Sequence, residues 1–196
     1  FMLTGVRGVG KTTTARLIAR ALNYGDKPAI DMPTFGPHCE AILESRHMDV
    51  IEMDAASNTG VDNMREIIDS VRYAPAQARI KVYIIDEVHM LSKSAFNALL
   101  KTLEEPQPGR YLWLLSANPA RLPATIRSRC QRLELRLPPA DEALQWLATR
   151  GHRGELAREA LDAARGHPGL ADAWASGDGL ALRRAVAQDL QVLQRG

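Results

Sequence analysis

The sequence predicts an α/β domain over Phe1–Leu137, with a five-stranded, mainly parallel sheet, followed by a small all-helical lid over Ala140–Gly196. Three observations carry this. Five short apolar or β-prone segments alternate with stretches of helical periodicity, the pattern of βαβ units whose sheet is covered on both faces. A glycine-rich octapeptide stands at the first strand-to-helix junction. After Pro138-Pro139 the strand-like segments stop, and the chain becomes rich in Ala, Leu and Arg at helical spacing.

The first strand is read at Phe1–Thr4. It opens on Phe rather than Met, so further residues are expected upstream. Gly5–Thr12 then matches the phosphate-loop pattern G-x-x-x-x-G-K-[ST] at every position. Ala15, Ile18 and Leu22 follow on one helical face. A loop feeding a helix amino terminus aims backbone N–H groups and the positive dipole end at an anion. Gly5, Gly8 and Gly10 let the backbone curl around that anion without a Cβ in the way. The predicted nucleotide loop is Gly5, Val6, Arg7, Gly8, Val9, Gly10, Lys11, Thr12 and Thr13. Lys11 is assigned to the β- and γ-phosphates, and the Thr12 hydroxyl to Mg²⁺. The competing reading is a glycine-rich turn that binds nothing. The complete match in this setting favours binding of a nucleoside triphosphate.

Asn23–Cys39 carries Pro28, Pro33 and Pro37 with Gly25 and Gly36, and reads as a long excursion outside the core. A second strand is expected at Asp49–Met53. Val61, Met64, Ile67, Ile68 and Val71 then form a helical stripe. The third strand, Lys81–Ile85, runs into Asp86-Glu87. In an open α/β sheet, ligands sit beyond the carboxyl ends of the strands, so both acids face the crevice of the phosphate loop. Asp86 is assigned to the Mg²⁺ shell, and Glu87 to orienting or deprotonating a water that attacks the γ-phosphate. Alone, such a pair is as easily a solvated turn. Beside a complete phosphate loop it points to an ATPase or GTPase.

Phe96, Leu99, Leu100 and Leu103 form the next stripe, with Ser92 or Ser94 as the cap and Pro106 as the stop. Strands follow at Tyr111–Leu115 and Arg132–Arg136. Beyond the prolines, Leu156–Ala164 and Leu180–Leu193 have helical spacing.

Composition narrows the class. At 196 residues there is room for one domain, or one domain with a helical appendage. A net charge of +2 does not by itself argue for nucleic acid. No apolar run reaches membrane-spanning length and no signal peptide is visible, so no membrane partner is expected. Two cysteines make no disulfide framework, which fits a cytoplasmic setting.

Asp86-Glu87-Val88-His89 alone would also suit a helicase. The run that follows, Met90-Leu91-Ser92 and then Phe96 to Pro106, resembles the clamp-loader branch of the AAA+ ATPases. So do Asp54-Ala55-Ala56-Ser57, Tyr73-Ala74-Pro75-Ala76, Leu122-Pro123 and Ser128-Arg129-Cys130. Nearly the whole chain resembles a bacterial DNA polymerase III clamp-loader subunit. Residues 1–106 look like the gamma/tau motor and residues 107–196 like the delta-prime stator, with the seam in the shared stretch Asn97–Pro106. A hybrid sequence is therefore one reading of its origin.

The resemblance implies a AAA+ fold, ATP and Mg²⁺ as cofactors, and a hetero-oligomeric ring of clamp-loader subunits acting with a sliding clamp and primed DNA. It also implies a catalytic role for Arg129, reaching a neighbour's ATP and stabilising charge on the γ-phosphoryl oxygens, worth on the order of 10³–10⁵ in rate. From the residues alone, Arg129 reads instead as a tether for the Arg132–Arg136 strand. The chain departs from the motor pattern at three places. Ala117 takes the position of the polar γ-phosphate sensor, with Ser116 and Asn118 beside it. Gly166-His167-Pro168-Gly169 replaces a Gly-Ser-x-Arg sensor, leaving Gly169 at the Arg position, with Arg165 nearby as a helix-end charge. The insert keeps only Cys39, with His38 and His47, of a four-cysteine zinc site, so no zinc is expected and these three read as surface residues. Arg65, Arg72, Arg79 and Lys93 are candidate DNA contacts that equally suit solvated charge. Two rivals remain: a non-hydrolysing stator that lends only Arg129, and an unrelated P-loop kinase with a phosphoryl acceptor.

Overall fold

The computed structural model describes residues 1–57 and 61–195, with the side chains of 61–63 and 191–195 outside the description. The Val61 and Leu193 side chains, expected on helical stripes, lie outside the described residues. The chain divides into two compact units, Phe1–Leu135 and Arg136–Gly196.

The first unit is a five-stranded sheet of order β2-β3-β4-β1-β5: β1 Met2–Thr4, β2 Val50–Asp54, β3 Lys81–Asp86, β4 Arg110–Ser116 and β5 Arg132–Glu134. Every neighbouring pair is parallel, as short strands separated by helical crossovers require. Each strand start agrees with its sequence expectation to within one residue. Side chains alternate between the two faces of a strand, and the sheet uses this to build two cores. Leu3, Ile84 and Leu115 pack with Ala15 and Ala19 of α1 (Lys11–Leu22) and Ile42 of α2 (Cys39–Leu43). Met2, Ile85 and Leu114 pack with Met64 of α3 (Val61–Val71) and with Phe96 and Leu99 of α4 (Lys93–Glu104). Ser92 caps α4, its Oγ accepting from the Ala95 N–H, and the helix ends two residues before Pro106.

The expectation for the excursion needs correction. Its two ends belong to the core: Asn23 and Cys39 are buried. Asn23 grips both backbone groups of Ile80, with Nδ2 donating to the carbonyl at 3.0 Å and Oδ1 accepting the N–H at 2.9 Å. Cys39 opens α2, and its Sγ accepts from Arg20 Nε and the Gly36 N–H. His47 is likewise buried, against the surface reading, because its Nδ1 accepts the Asp49 N–H and its Nε2 meets His38 Nδ1 at 2.9 Å. Among the described residues, no three His, Cys, Asp or Glu side chains are grouped to hold a metal ion.

The short α5 (Ala124–Arg127) closes the path from β4 to β5. In the second unit, α6 (Ala140–Thr149), α7 (Gly154–Ala163), α8 (Pro168–Ser176) and α9 (Gly179–Arg195) surround a core that includes Ala143, Leu147, Ala160, Leu161 and Ala171. Pro168 stands in the first turn of α8, where its missing N–H costs nothing. Among the described residues no helix is long and apolar enough to cross a membrane.

Candidate functional site

The loop between β1 and α1 is shaped by its glycines. Gly8 and Gly10 have φ of 83° and 91°, a region favourable to residues without a Cβ. Gly5, at φ 152°, passes so close to β5 that a Cβ there would lie 2.3 Å from the Leu135 carbonyl oxygen. Gly10 is the N-cap of α1, placing Lys11, Thr12 and Thr13 on its first turn. Lys11 is buried and turned onto its own loop, donating from Nζ to the Gly5 and Val6 carbonyls at 3.1 and 3.2 Å.

β3 delivers the carboxylates. Thr12 Oγ1 donates to Asp86 Oδ2 at 2.5 Å, and the Glu87 N–H donates to Asp86 Oδ1 at 2.8 Å. Glu87 itself is in the left-handed region at φ 45°, a conformation that costs a non-glycine residue about 1–2 kcal/mol. It redirects the chain from β3 into the 3₁₀ turn Val88–Met90. A cleft of about 400 Å³ results, lined by Arg7, Gly8, Gly10, Lys11, Thr12, Thr13, Asp54, Asp86 and Glu87. Gly5, Val6 and Val9 shape the loop without lining the cleft. A hydroxyl and a carboxylate at its floor are hard oxygen donors, the set that suits Mg²⁺.

In the sequence, Asp54 stands out only as part of Asp54-Ala55-Ala56-Ser57. Register explains its place: Asp54 pairs with Asp86 across the parallel β2–β3 ladder, so both reach the same rim. Hydrogen bonds from Ser57 Oγ and the Ala56 N–H hold its carboxyl below the usual range. Beside the cleft, Arg16 of α1 clamps Glu52 of β2 through two hydrogen bonds of 2.7 and 2.8 Å. Sequence periodicity gives no access to either pairing, since both need the strand order.

At the end of β4, Ser116 is fully buried and its Oγ lies 3.0 Å from His89 Nδ1. The same Nδ1 is 3.3 Å from Glu87 Oε2, and the Ala117 N–H reaches that oxygen at 3.4 Å. Asn118 is exposed, and its N–H donates to Ser116 Oγ.

Arg129 is exposed, away from the cleft-lining set. Its guanidinium donates to Glu104 Oε1 at 2.8 Å and to the Thr125 carbonyl at 3.0 Å, neither of them on β5. The anchor of β5 is Arg132, whose Nε donates to Thr4 Oγ1 at 3.0 Å. Arg65, Arg72, Arg79 and Lys93 are all exposed, with Arg79 also donating to the Leu22 carbonyl. In the second unit Arg165 follows the C-cap of α7, and Gly169 lies in the first turn of α8.

The profile of the family described as "DNA polymerase III, delta subunit" matches residues 1–139. DNA polymerase III subunit tau of Escherichia coli K12 is 41% identical over 204 residues, covering 98% of this chain and 32% of tau. The tau subunit of Bacillus subtilis is 48% identical over 136 residues, 69% of this chain and 24% of that protein. The gamma subunit of Buchnera aphidicola from Acyrthosiphon pisum is 46% identical over 147 residues, 75% and 41% of the two chains. The chain thus spans about a third of the length of the E. coli tau it matches. Among solved structures, a RuvB variant of Thermotoga maritima superposes with a TM-score of 0.59 at 19% identity, covering 89% of this chain and 52% of that one. A DNA polymerase III gamma subunit-related protein from the same organism gives 0.54 at 22% identity, covering 82% and 48%. These two likenesses bear out the α/β fold. With the family profile spanning the whole sheet-bearing unit, the chain belongs to the DNA polymerase III delta-subunit family.

Proposed function

We propose that this chain binds ATP with Mg²⁺ and hydrolyses it as one subunit of a DNA polymerase III clamp loader, a hetero-oligomeric ring that places a sliding clamp on primed DNA. The single observation that carries the reading is the Thr12–Asp86 hydrogen bond, which joins the phosphate loop to the acidic end of β3 on the floor of one cleft. The names of the tau and gamma relatives support the assembly.

In this reading the loop N–H groups from Gly8 to Thr13 cradle the phosphates at the positive end of α1. Lys11 exchanges its two loop carbonyls for the β- and γ-phosphate oxygens. Thr12 and Asp86 hold the Mg²⁺, which when bound supplies charge neutralisation at those oxygens. Glu87 orients a water and accepts its proton as the water attacks the γ-phosphorus, the bond to the β–γ bridging oxygen breaks and ADP leaves with that oxygen. Residues 140–196 act as the lid, and Arg129 leaves Glu104 to complete a neighbouring subunit's site. An exposed ion pair of this kind is worth about 0–1 kcal/mol, so its release is easy.

A second reading is favoured by Ala117 and Gly169, which lack the polar side chains a γ-phosphate sensor needs: a stator that lends Arg129 without turnover of its own. The experiment that separates them measures ATP affinity of the chain with Mg²⁺, beside Lys11→Ala, then turnover with partner subunits, clamp and primed DNA. Lys11-dependent binding, with turnover abolished by Glu87→Gln in this chain, establishes the motor. Binding with no turnover assignable to this chain, in a mixture silenced by Arg129→Ala, establishes the stator. Absence of binding overturns the motor reading and the nucleotide role of Gly5–Thr12.

A further inference from the structure

The Glu87 carboxylate faces three groups that form one unit. His89 Nδ1 stands 3.3 Å from Glu87 Oε2 and 3.0 Å from Ser116 Oγ, and the Ala117 N–H reaches the same carboxylate oxygen at 3.4 Å. The carboxylate can only accept, so the network assigns the imidazole proton to Nδ1, shared between Glu87 and the serine oxygen. Ser116 is fully buried and its Oγ also accepts the Asn118 N–H, which fixes it at the end of β4. His89 follows Glu87 in the 3₁₀ turn Val88–Met90, a turn entered only because Glu87 adopts φ 45°. That backbone turn points the imidazole back at the carboxylate two residues earlier.

We propose that His89, braced by Ser116, is the positioning residue for the Glu87 carboxylate and couples it to the end of β4. The inference rests on the hydrolytic role given to Glu87 above and adds to it. Ala117 offers no side-chain donor at the end of β4. Its backbone N–H and the Ser116–His89 pair address the carboxylate instead, so a shift of the β4 end that moves Ser116 redirects Glu87 through the imidazole. A carboxylate left free of this hold swings over several rotamers, and misplacement of a general base is costly in rate while leaving phosphate binding untouched.

The test compares wild type with His89→Leu, His89→Asn, Ser116→Ala and, for the amide alone, Glu87→Gln. The asparagine keeps an N–H near the place of Nδ1; the leucine keeps bulk alone. ATP affinity, ATP turnover and the Ala117 amide resonance in ¹H–¹⁵N spectra are recorded on the His89 and Ser116 variants, with a thermal melt to confirm folding. Affinity is expected to stay within about twofold for all, while turnover falls roughly 10- to 100-fold in His89→Leu and is largely restored in His89→Asn. The Ala117 amide is expected to shift in His89→Leu and Glu87→Gln, and to return towards wild type in His89→Asn. An unmoved Ala117 amide in His89→Leu overturns the proposal, as does a His89→Asn variant as impaired as the leucine. If His89→Leu does not fold, Ser116→Ala takes its place with the same two readouts. The amide is read without nucleotide, so it decides the role of His89 even if the wild-type chain binds ATP and turns none over. That result would sink the motor reading alone.

Discussion

Thr12 Oγ1 and Asp86 Oδ2 are 2.5 Å apart although 74 positions separate them in the chain. The bond spans the point where α1 leaves β1 and where β3 ends, and in the order β2-β3-β4-β1-β5 those strands are not neighbours. β4 lies between them, so the loop must reach over its end. The bond shows that the two oxygens assigned above to Mg²⁺ converge at one point.

On the proposed reading the Thr12 hydroxyl and the Asp86 carboxylate would turn from each other to the ion, and both would set the Mg²⁺ dependence of ATP binding. Thr12→Ala is expected to weaken Mg²⁺ on the order of tenfold, and Asp86→Asn by more, since it removes the negative charge beside the ion. Titrating Mg²⁺ at fixed ATP on each variant checks this. A midpoint equal to wild type in either variant would remove that residue from the metal shell.

Much of this arrangement was legible in the sequence, and the reason is local. Gly5–Thr12 fixes a loop by the residue types it needs, and Val82–Ile85 is apolar with Asp86 and Glu87 directly after it. Both signals sit within a few consecutive residues. What was not legible depends on strand order or on short elements. Asp54 enters the cleft because β2 lies beside β3, and Ser116 meets His89 across 27 positions. α2, with five residues, is too short to show a period, and its buried Cys39 looked like part of a proline-rich excursion. His47 read as a surface residue because its partner, the backbone N–H of Asp49, leaves no trace in composition.

Asp49 is a buried acid whose role is stability. It is almost fully enclosed, and its carboxylate accepts the N–H groups of Ala76, Gln77 and Ala78 at 2.8–2.9 Å, fixing the loop that leads into β3. Burial pushes this carboxyl up, but the three N–H donors, with His47, outweigh it and leave the pKa below the ordinary value. A depressed folded pKa contributes stability that is present above the unfolded value, about 3.9, and is lost as pH falls through the folded one. Asp49→Asn aims an amide N–H at backbone donors and is expected to cost about 1–3 kcal/mol at pH 7. It should also flatten the acid limb of stability below about pH 4. Urea unfolding at pH 7 and pH 3 measures both.

His47 sets a different pH limb. Burial lowers its pKa from the ordinary value of 6.5, and the neighbouring His38 lowers it further, while Asp49 opposes them. The Asp49 N–H donates to Nδ1, so the neutral ring carries its proton on Nε2 and donates to His38. Charging the ring would put a proton on Nδ1, against that N–H. The folded state therefore binds fewer protons than the unfolded chain. Stability is full above about pH 6.5 and declines as pH falls from there towards the folded pKa. His47→Gln is expected to remove most of the slope between about pH 6.5 and pH 5. Denaturation midpoints across that range provide the check, and an unchanged slope would assign it to other groups.

Gly5 and Gly10 separate the two demands placed on the phosphate loop. At Gly5 a Cβ would meet the Leu135 carbonyl at 2.3 Å and Val9 Cγ1 at 2.9 Å, and φ is 152°. The Leu135 N–H donates to the Thr4 carbonyl at 2.7 Å, so the clashing carbonyl belongs to the backbone that pairs β5 with β1 and cannot move freely. At Gly10, φ is 91° and nothing lies within 4 Å of the added carbon. Gly5→Ala must therefore displace β5 or the loop, and is expected to cost about 2–3 kcal/mol, a fall of roughly 5–10 °C in melting temperature. Gly10→Ala bears only the left-handed strain, about 1–2 kcal/mol. Its added methyl nonetheless projects beside the cleft that Gly10 lines, so its main deficit is expected in ATP affinity rather than in melting. Melting temperature and ATP affinity measured on both variants test the division: a larger melting loss for Gly10→Ala than for Gly5→Ala would mean that the approach of the loop to Leu135 is not what requires a glycine at position 5.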